Sequence, residues 1–341
     1  MTRSDVVDVL LDGRGCTPVR GTATQFAPAN IALCKYWGKR DRELNLPVAS
    51  SLSVSLGVLG SRVTLSCRDG GDRVRLNGDV LGADTAFHVR TCAYLDLLCG
   101  ATRSPLDVEA TNTIPTAAGF ASSASGFAAL AKAVNALMDW GLDDVALSIL
   151  ARLGSGSACR SLHDGFVCWE AGSRADGMDS YGVPVPVAWR EFKLGLVVVE
   201  SGPKATGSRE GMLHTQETSP LYGGWLDLVT RDMVSVRDAI ARRDFGLLGV
   251  AAEGNAMAMH ATMLASRPSL CYWIPGTVEV LRRLWQARSG GLEIYATMDA
   301  GPNVKVLFLE KDEKELRSLF EGVLVVDPWL ERPERESTNE V

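Results

Sequence analysis

Pro115-Thr-Ala-Ala-Gly-Phe-Ala-Ser-Ser-Ala-Ser-Gly126 contains almost nothing but small residues. It stands between a strand-like run, Leu106 to Ala110, and a helix-like one, Phe127 to Leu137. Small side chains let backbone N–H groups approach an anion, and the following helix adds the positive end of its dipole. The stretch reads as a phosphate cradle. It lacks the Gly-Lys-Ser/Thr ending of a Walker loop, so it belongs to another nucleotide-binding design. A tight turn packed under a neighbour would also want small residues, and this stretch by itself leaves both readings open.

The surrounding chain has 341 residues, enough for two domains with substantial cores. Hydrophobic residues make up 46% and charged residues 22%, the balance of a soluble globular protein. No apolar run reaches the length of a membrane span. The start, Met-Thr-Arg-Ser-Asp-Val-Val-Asp, has acidic residues and no apolar h-region, so it does not read as a secretory signal. A net charge of −6 argues against nucleic-acid binding but allows a small polyanionic ligand held by a few local cations. The cysteines, Cys16, Cys34, Cys67, Cys92, Cys99, Cys159, Cys168 and Cys271, have no C-x-x-C spacing. They read as buried thiols in a reducing cytosol, not a disulfide frame or a zinc site. The histidines, His88, His163, His214 and His260, form no ligand cluster.

Residues 1 to about 18 read as a loosely held extension. Strand-like runs follow at Gly21 to Phe26, Ser50 to Leu56, Arg62 to Cys67 and Arg73 to Leu76, the last ending in an Asn-Gly turn signal. Helical spacing marks 84 to 99, the segment after the loop through Met138, and Asp143 to Leu153. Gly165 to Glu170 reads as a strand. Residues 172 to 190, rich in Gly, Pro and Asp, mark a domain boundary. Beyond it come a strand at Leu194 to Glu200 and helices at 220–241, 244–264 and 277–288. Strands at Leu292 to Met298 and Val304 to Leu309 and a short helix, Lys314 to Phe320, complete the reading. The domains expected are 1–190 and 191–330, with residues 331–341 a charged, disordered tail. Strands and helices mix in both halves, so the class is α/β or α+β.

Four further segments carry chemistry. In Ala27-Pro-Ala-Asn-Ile-Ala-Leu-Cys-Lys-Tyr-Trp-Gly-Lys-Arg-Asp an apolar strand breaks at Gly38 into Lys35, Tyr36, Lys39 and Arg40. These offer cations and a hydroxyl at a strand end; a solvated turn would leave Trp37 uncovered. In Gly154-Ser-Gly-Ser-Ala-Cys-Arg-Ser, Ser155 and Ser157 precede a helical turn with Arg160 near the same face. Hydroxyls, helix N–H groups and a guanidinium fork suit a carboxylate or phosphate, beyond what a serine cap needs. Gly202-Pro-Lys-Ala-Thr-Gly-Ser-Arg-Glu-Gly-Met repeats hydroxyls and cations at a helix start, and there a plain flexible loop stands level with the binding reading. In Thr297-Met-Asp-Ala-Gly-Pro-Asn, Asp299 follows a strand and is either a catalytic carboxylate or a turn former.

Taken together these segments, with Leu46-Pro-Val-Ala-Ser-Ser-Leu-Ser-Val, resemble the GHMP kinase superfamily and, within it, the diphosphomevalonate decarboxylases. The Lys-Tyr-Trp-Gly-Lys and Ser-Gly-Ser-Ala-Cys-Arg runs narrow the resemblance to that branch. It covers about residues 22 to 310. The resemblance implies an α+β, two-domain GHMP kinase fold. Its N-terminal mixed α/β domain carries the glycine/serine-rich phosphate loop. Its C-terminal domain is ferredoxin-like, and the active site lies in the cleft between the two. It implies ATP and Mg2+, phosphorylation of the 3-hydroxyl of mevalonate 5-diphosphate, then loss of phosphate and carbon dioxide to give isopentenyl diphosphate. Family members are commonly cytosolic homodimers.

The resemblance also assigns roles. Asp299 matches the catalytic aspartate, as base or as a group that orients the hydroxyl. Arg160 matches the arginine that holds the substrate carboxylate, with Ser155 and Ser157 in the same pocket, and Asn30 a residue near the reacting centre. Tyr36, Lys39, Ser208, Arg209 and Met212 match residues around the substrate diphosphate. Gly119, Ala121, Ser122, Ser123, Ala124 and Ser125 match the wrapping of the ATP phosphates, with Ser122 near the metal. Phe120 departs from the usual leucine. The N-terminal extension and the 172–186 segment have no assigned role. A mevalonate kinase, a 5-phosphate decarboxylase or a non-catalytic ligand-binding protein on the same fold are the competing readings.

Overall fold

The longest strand, β4 (Ser51–Cys67), organises the first half of the molecule in the computed structural model, which describes residues 1–113, 122–200, 202 and 206–330. One stretch of β4, Ser51 to Val54, pairs antiparallel with β8 (Phe166–Trp169), and its far end, Ser61 to Cys67, pairs with β7 (Leu106–Asn112). β1 (Thr22–Cys34) lies along β4 for nearly its whole length. With β5 (Arg73–Leu76), β6 (Asp79–Val80) and β9 (Gly182–Pro184) these make a seven-stranded mixed sheet, in which only β5 and β7 run parallel. β2 (Lys39–Asp41) and β3 (Leu46–Pro47) form a small hairpin beside it.

β1 does more than add a strand. Its pairing with β4 shifts register between Pro28 and Asn30. A bulge moves the following side chains to the other face of the sheet. Ala23 and Ala27 therefore join one core, while Ala29, Ile31 and Leu33 join another. The first core lies under α3 (Ser122–Met138), where Ala128, Ala129, Ala131 and Ala133 are fully buried and allow close approach to the sheet. It also takes in α2 (Ala86–Cys99) and α4 (Asp144–Gly154). The second core is shared with the C-terminal half.

That half holds an antiparallel sheet of order β11-β12-β10-β13, with β10 (Phe192–Val197), β11 (Tyr295–Thr297), β12 (Val304–Leu309) and β13 (Leu324–Val326). Helices α5 (Ser208–Thr218), α6 (Tyr222–Arg242), α7 (Phe245–Leu264) and α8 (Pro275–Ser289) run between β10 and β11, and α9 (Glu313–Leu319) between β12 and β13. The order β-α-β-β-α-β with β10 central is the ferredoxin-like arrangement. The change of sheet falls between Pro184 and Phe192. Met233, Val236 and Ile240 of α6 and Leu248, Ala252 and Met259 of α7 pack against the Ile31 face of β1. One apolar core thus joins the two sheets.

Two expectations need correction. Residues 1–18 are not loosely held: α1 (Arg3–Leu11) buries Val6, Val7 and Leu11, which removes about 1.5–3 kcal/mol of apolar exposure per side chain. Thr2 and Asp5 close a reciprocal capping box at its start. Nor are all the cysteines buried. Cys34, Cys159 and Cys168 are, but Cys67 ends β4 and Cys271 precedes α8, and both are exposed. The 172–186 segment has a packing role. Its Gly177 and Ser180 carbonyls accept from Arg152, a guanidinium with no exposed surface whose third carbonyl partner is Leu44 at 3.1 Å.

Candidate active site

Asp299 lies two residues past the end of β11, and two lysines hold it. Lys35 Nζ donates to Oδ1 at 2.9 Å and Lys305 Nζ stands 3.2 Å from Oδ2. Lys35 extends from the end of β1 and Lys305 sits inside β12, both almost fully buried. The Asp299 side chain keeps 43% of its surface exposed, so the triad opens towards solvent on the carboxylate side only. Loss of surrounding water would raise the Asp299 carboxyl, but the two ammonium charges and their hydrogen bonds outweigh it and hold the group well below the usual carboxylate range. Burial lowers Lys35, with Asp299 opposing. Beneath the triad, His260 donates from Nε2 to the Asp299 carbonyl at 3.2 Å; burial, with Lys35 nearby, pulls the ring down to about 3, so it stays neutral.

Arg160 ends a short 3-10 turn, Gly156–Arg160, and is 2% exposed. It donates to Ser51 Oγ, and Nε and Nη2 share Asn30 Oδ1 at 3.4 and 3.3 Å. Those two bonds are long, and no carboxylate stands within ion-pair distance of Arg160 among the described residues. Burial lowers its pKa and the nearby Asp299 charge raises it, which puts guanidinium and carboxylate in one electrostatic site. Asn30 is fixed in turn by Ser161 Oγ at 2.8 Å and the Ser157 carbonyl at 3.3 Å, the β1 bulge having turned it to this face. Ser155 precedes the turn, yet its side chain makes no capping bond, so the plain N-cap reading does not describe it. Ser155 and Ser157 are both half-buried.

Beside Arg160, Trp169 lies 5.7 Å below the guanidinium and packs edge-on to Tyr36 at 4.6 Å. The Tyr36 hydroxyl is buried and has no hydrogen-bond partner among the described residues. A Cβ on Gly156 would come within 2.8 Å of that oxygen, so a glycine is needed where the turn passes it. Lys39 is 9% exposed and donates to Asn45 Oδ1 at 2.6 Å. Burial and the positive charges of Arg209, Arg3 and Arg42 pull its pKa down to about 8. Ser208 and Arg209 open α5, half-buried and exposed respectively, while Met212 is buried one turn further on. Arg209 lies near enough to Tyr36 and Lys39 to act on both.

Of the phosphate-loop residues, Gly119 and Ala121 lie outside the described residues. Ser122 is the first residue of α3, and Ser123 is on the wall of a cavity of about 120 Å³. That cavity lies between α2, α3 and the β4–β7 edge, and Phe87, Arg90, Val63, Val108 and Phe127 also face it. Ala124 and Ser125 are buried, and Ser125 Oγ lies 2.8 Å from Ser61 Oγ. An anion at this helix start would meet the positive end of the α3 dipole. Among the described residues no three His, Cys, Asp or Glu side chains gather as a metal site. A metal here would be held mainly by nucleotide phosphates, the usual habit of Mg2+.

The geometry can be set beside known proteins. Residues 27–182 match the diphosphomevalonate decarboxylase-like N-terminal domain, and residues 195–339 match the mevalonate 5-diphosphate decarboxylase C-terminal domain. The chain belongs to the diphosphomevalonate decarboxylase family. The diphosphomevalonate decarboxylase of Aspergillus fumigatus is 38% identical over 324 residues, covering 89% of this chain and 80% of that one. The crystal structure of mevalonate diphosphate decarboxylase from Staphylococcus aureus aligns with a TM-score of 0.85 at 36% identity, over 90% of this chain and 95% of that one. A structure of MDDEF in complex with MVAPP, AMPPCP and magnesium aligns with a TM-score of 0.82 at 38% identity, over 90% and 96%. The contacts with Asp299 add Lys305, which sequence reasoning missed, and Lys35, which it noted only as a cation. Each had a signal: Lys305 stands inside an otherwise apolar strand, and Lys35 directly after one.

Proposed function

We propose that this chain catalyses the ATP- and Mg2+-dependent decarboxylation of mevalonate 5-diphosphate to isopentenyl diphosphate, a step of the mevalonate pathway of isoprenoid biosynthesis. The observation that carries the reading is the Lys35–Asp299–Lys305 triad within electrostatic reach of Arg160. The relatives support it: one is bound to MVAPP, AMPPCP and magnesium.

The geometry and the family resemblance together support a role for each residue. Asp299 accepts a hydrogen bond from the 3-hydroxyl and turns its oxygen towards the phosphoryl group. A carboxylate held so far below its ordinary range is a poor early acceptor for a tertiary alcohol's proton, so orientation and field outweigh base strength. Arg160 grips the substrate carboxylate with its fork. As the 3-phosphate leaves, positive charge grows on the tertiary carbon. The electron pair of the bond to the carboxylate then closes the alkene and releases carbon dioxide. Lys35 and Lys305 stand where the departing negative charge collects. Tyr36, Lys39, Ser208 and Arg209, over Met212, bind the remote diphosphate, whose binding energy positions the hydroxyl. The start of α3 cradles the ATP phosphates, and the cavity beside Phe87 and Phe127 takes the apolar face of the adenosine. Mg2+ bound with ATP would neutralise phosphate charge at the transferring group.

The same reading makes the protein a cytosolic homodimer, and a one-chain mass by light scattering would remove the dimer. The activity is tested by incubating the protein with ATP and mevalonate 5-diphosphate and following products by mass spectrometry. Isopentenyl diphosphate, ADP and phosphate in equal amounts are expected. A phosphorylated product that keeps its carboxylate would instead make this a kinase.

A further inference from the structure

Lys35 follows the last residue of β1, so its N–H lies beyond the β1–β4 ladder, whose final pair is Cys34 with Leu52. A buried main-chain donor needs a partner. Asn255 of α7 supplies it, with Oδ1 accepting at 2.8 Å. The other end of the amide, Nδ2, donates to Asp232 Oδ2 of α6, also at 2.8 Å. Asn255 has no exposed surface. An N–H only donates and a carboxylate only accepts, so these two partners fix which way the amide faces. From the same residue Lys35 Nζ reaches back to the Ala32 carbonyl at 2.8 Å and forward to Asp299 at 2.9 Å. A continuous chain thus runs from Asp232 through Asn255 and the Lys35 main chain to the carboxylate at the reacting centre.

We propose that Asn255 is a positioning residue for the decarboxylation: held by Asp232, it fixes the Lys35 main chain and, through it, the ammonium against Asp299. The inference rests on the decarboxylase reading of the site. Lysine has four rotatable bonds, and burial alone does not say where its main chain starts. The Asn255 bond does. A displacement of about 1 Å at a reacting centre costs on the order of a hundredfold in rate.

The test is steady-state kinetics on the full chain with ATP and mevalonate 5-diphosphate. Asn255→Ala is expected to lower kcat by about a hundredfold. Its dissociation constants for mevalonate 5-diphosphate and a non-hydrolysable ATP analogue, measured by calorimetry, should stay within about threefold, a split that general destabilisation would not give. Asp232→Asn keeps an acceptor for the Asn255 amide and should lose at least about tenfold less kcat than Asp232→Leu, which does not. This pair decides the matter if Asn255→Ala fails to fold. In a Lys35→Gln background, Asn255→Ala should cost less than about threefold more, because the route through the ammonium is already gone. A full further hundredfold loss there, or equal kcat for the two Asp232 variants, would overturn the inference. Absence of product from the wild-type chain would count against the decarboxylase reading instead.

Discussion

Lys39 gives a prediction whose size can be worked out. Its pKa lies near 8 rather than 10.5, through burial and the positive charges of Arg209, Arg3 and Arg42. The substrate diphosphate should bind the charged form, and in doing so should return the group towards 10.5. The free enzyme loses the Lys39 proton as pH rises through about 8, so affinity must fall with rising pH. If the bound state regains the full shift, KM for mevalonate 5-diphosphate about doubles by pH 8 and rises about tenfold by pH 9, relative to pH 7. A terminal phosphate, with its second pKa near 6, is already ionised through this window. The assay is initial-rate kinetics from pH 6.5 to 9 with ATP and Mg2+ saturating. Lys39→Arg keeps the charge at every pH, so its KM should be higher throughout but flat. A wild-type KM flat to pH 9, or the same rise in Lys39→Arg, would refute the assignment of Lys39 to the diphosphate.

Further outcomes follow from the same geometry. Arg160→Lys should cripple turnover, because a point charge cannot reproduce a two-pronged grip. A substrate analogue lacking the carboxylate should bind wild type and Arg160→Lys almost equally, and an equal further loss would point to another carboxylate ligand. Mevalonate 5-phosphate should be used at least about a hundredfold less efficiently in kcat/KM, since two charge-assisted hydrogen bonds at about 1.5–3 kcal/mol each go unmade. Comparable isopentenyl phosphate formation would favour a monophosphate decarboxylase. Leu11→Ala should cost about 2–4 kcal/mol in urea unfolding, because Leu11 is 6% exposed against the first core. A loss under about 0.5 kcal/mol would return α1 to the status of a loose extension.

Long apolar-periodic elements were legible. The helices at 222–242 and 245–264 fall within two residues of their predicted spans, because tertiary packing and amphipathic spacing agree there. β4 read as two strands, since Gly57 and Gly60 interrupt the apolar pattern; the β1 ladder shifts register there, between Asn30 paired with Ser55 and Pro28 paired with Gly60, yet the strand continues. α1 went unread because polar residues dilute a short apolar stripe, although Thr2 and Asp5 already spell a helix start. At the site, Asp299, Arg160, Asn30 and Lys39 were legible as motif positions, but their electrical state was not. Only the fold brings Lys305 from β12 and Lys35 from β1 onto one carboxylate, 264 residues separating Lys35 from Asp299. Asn255 could not be found from sequence, because a polar residue inside an apolar helix has no partner until α6 and β1 are packed.

The most direct test of the account is carbon dioxide release from carboxyl-labelled mevalonate 5-diphosphate, counted against ADP, for the wild type and Asp299→Asn. The wild type should release one carbon dioxide per ADP. Asp299→Asn should lose about a hundredfold to ten-thousandfold in both while still binding ATP and substrate. ADP without carbon dioxide in the wild type, or near-wild-type release by Asp299→Asn, would contradict the assignment of this chemistry to the triad.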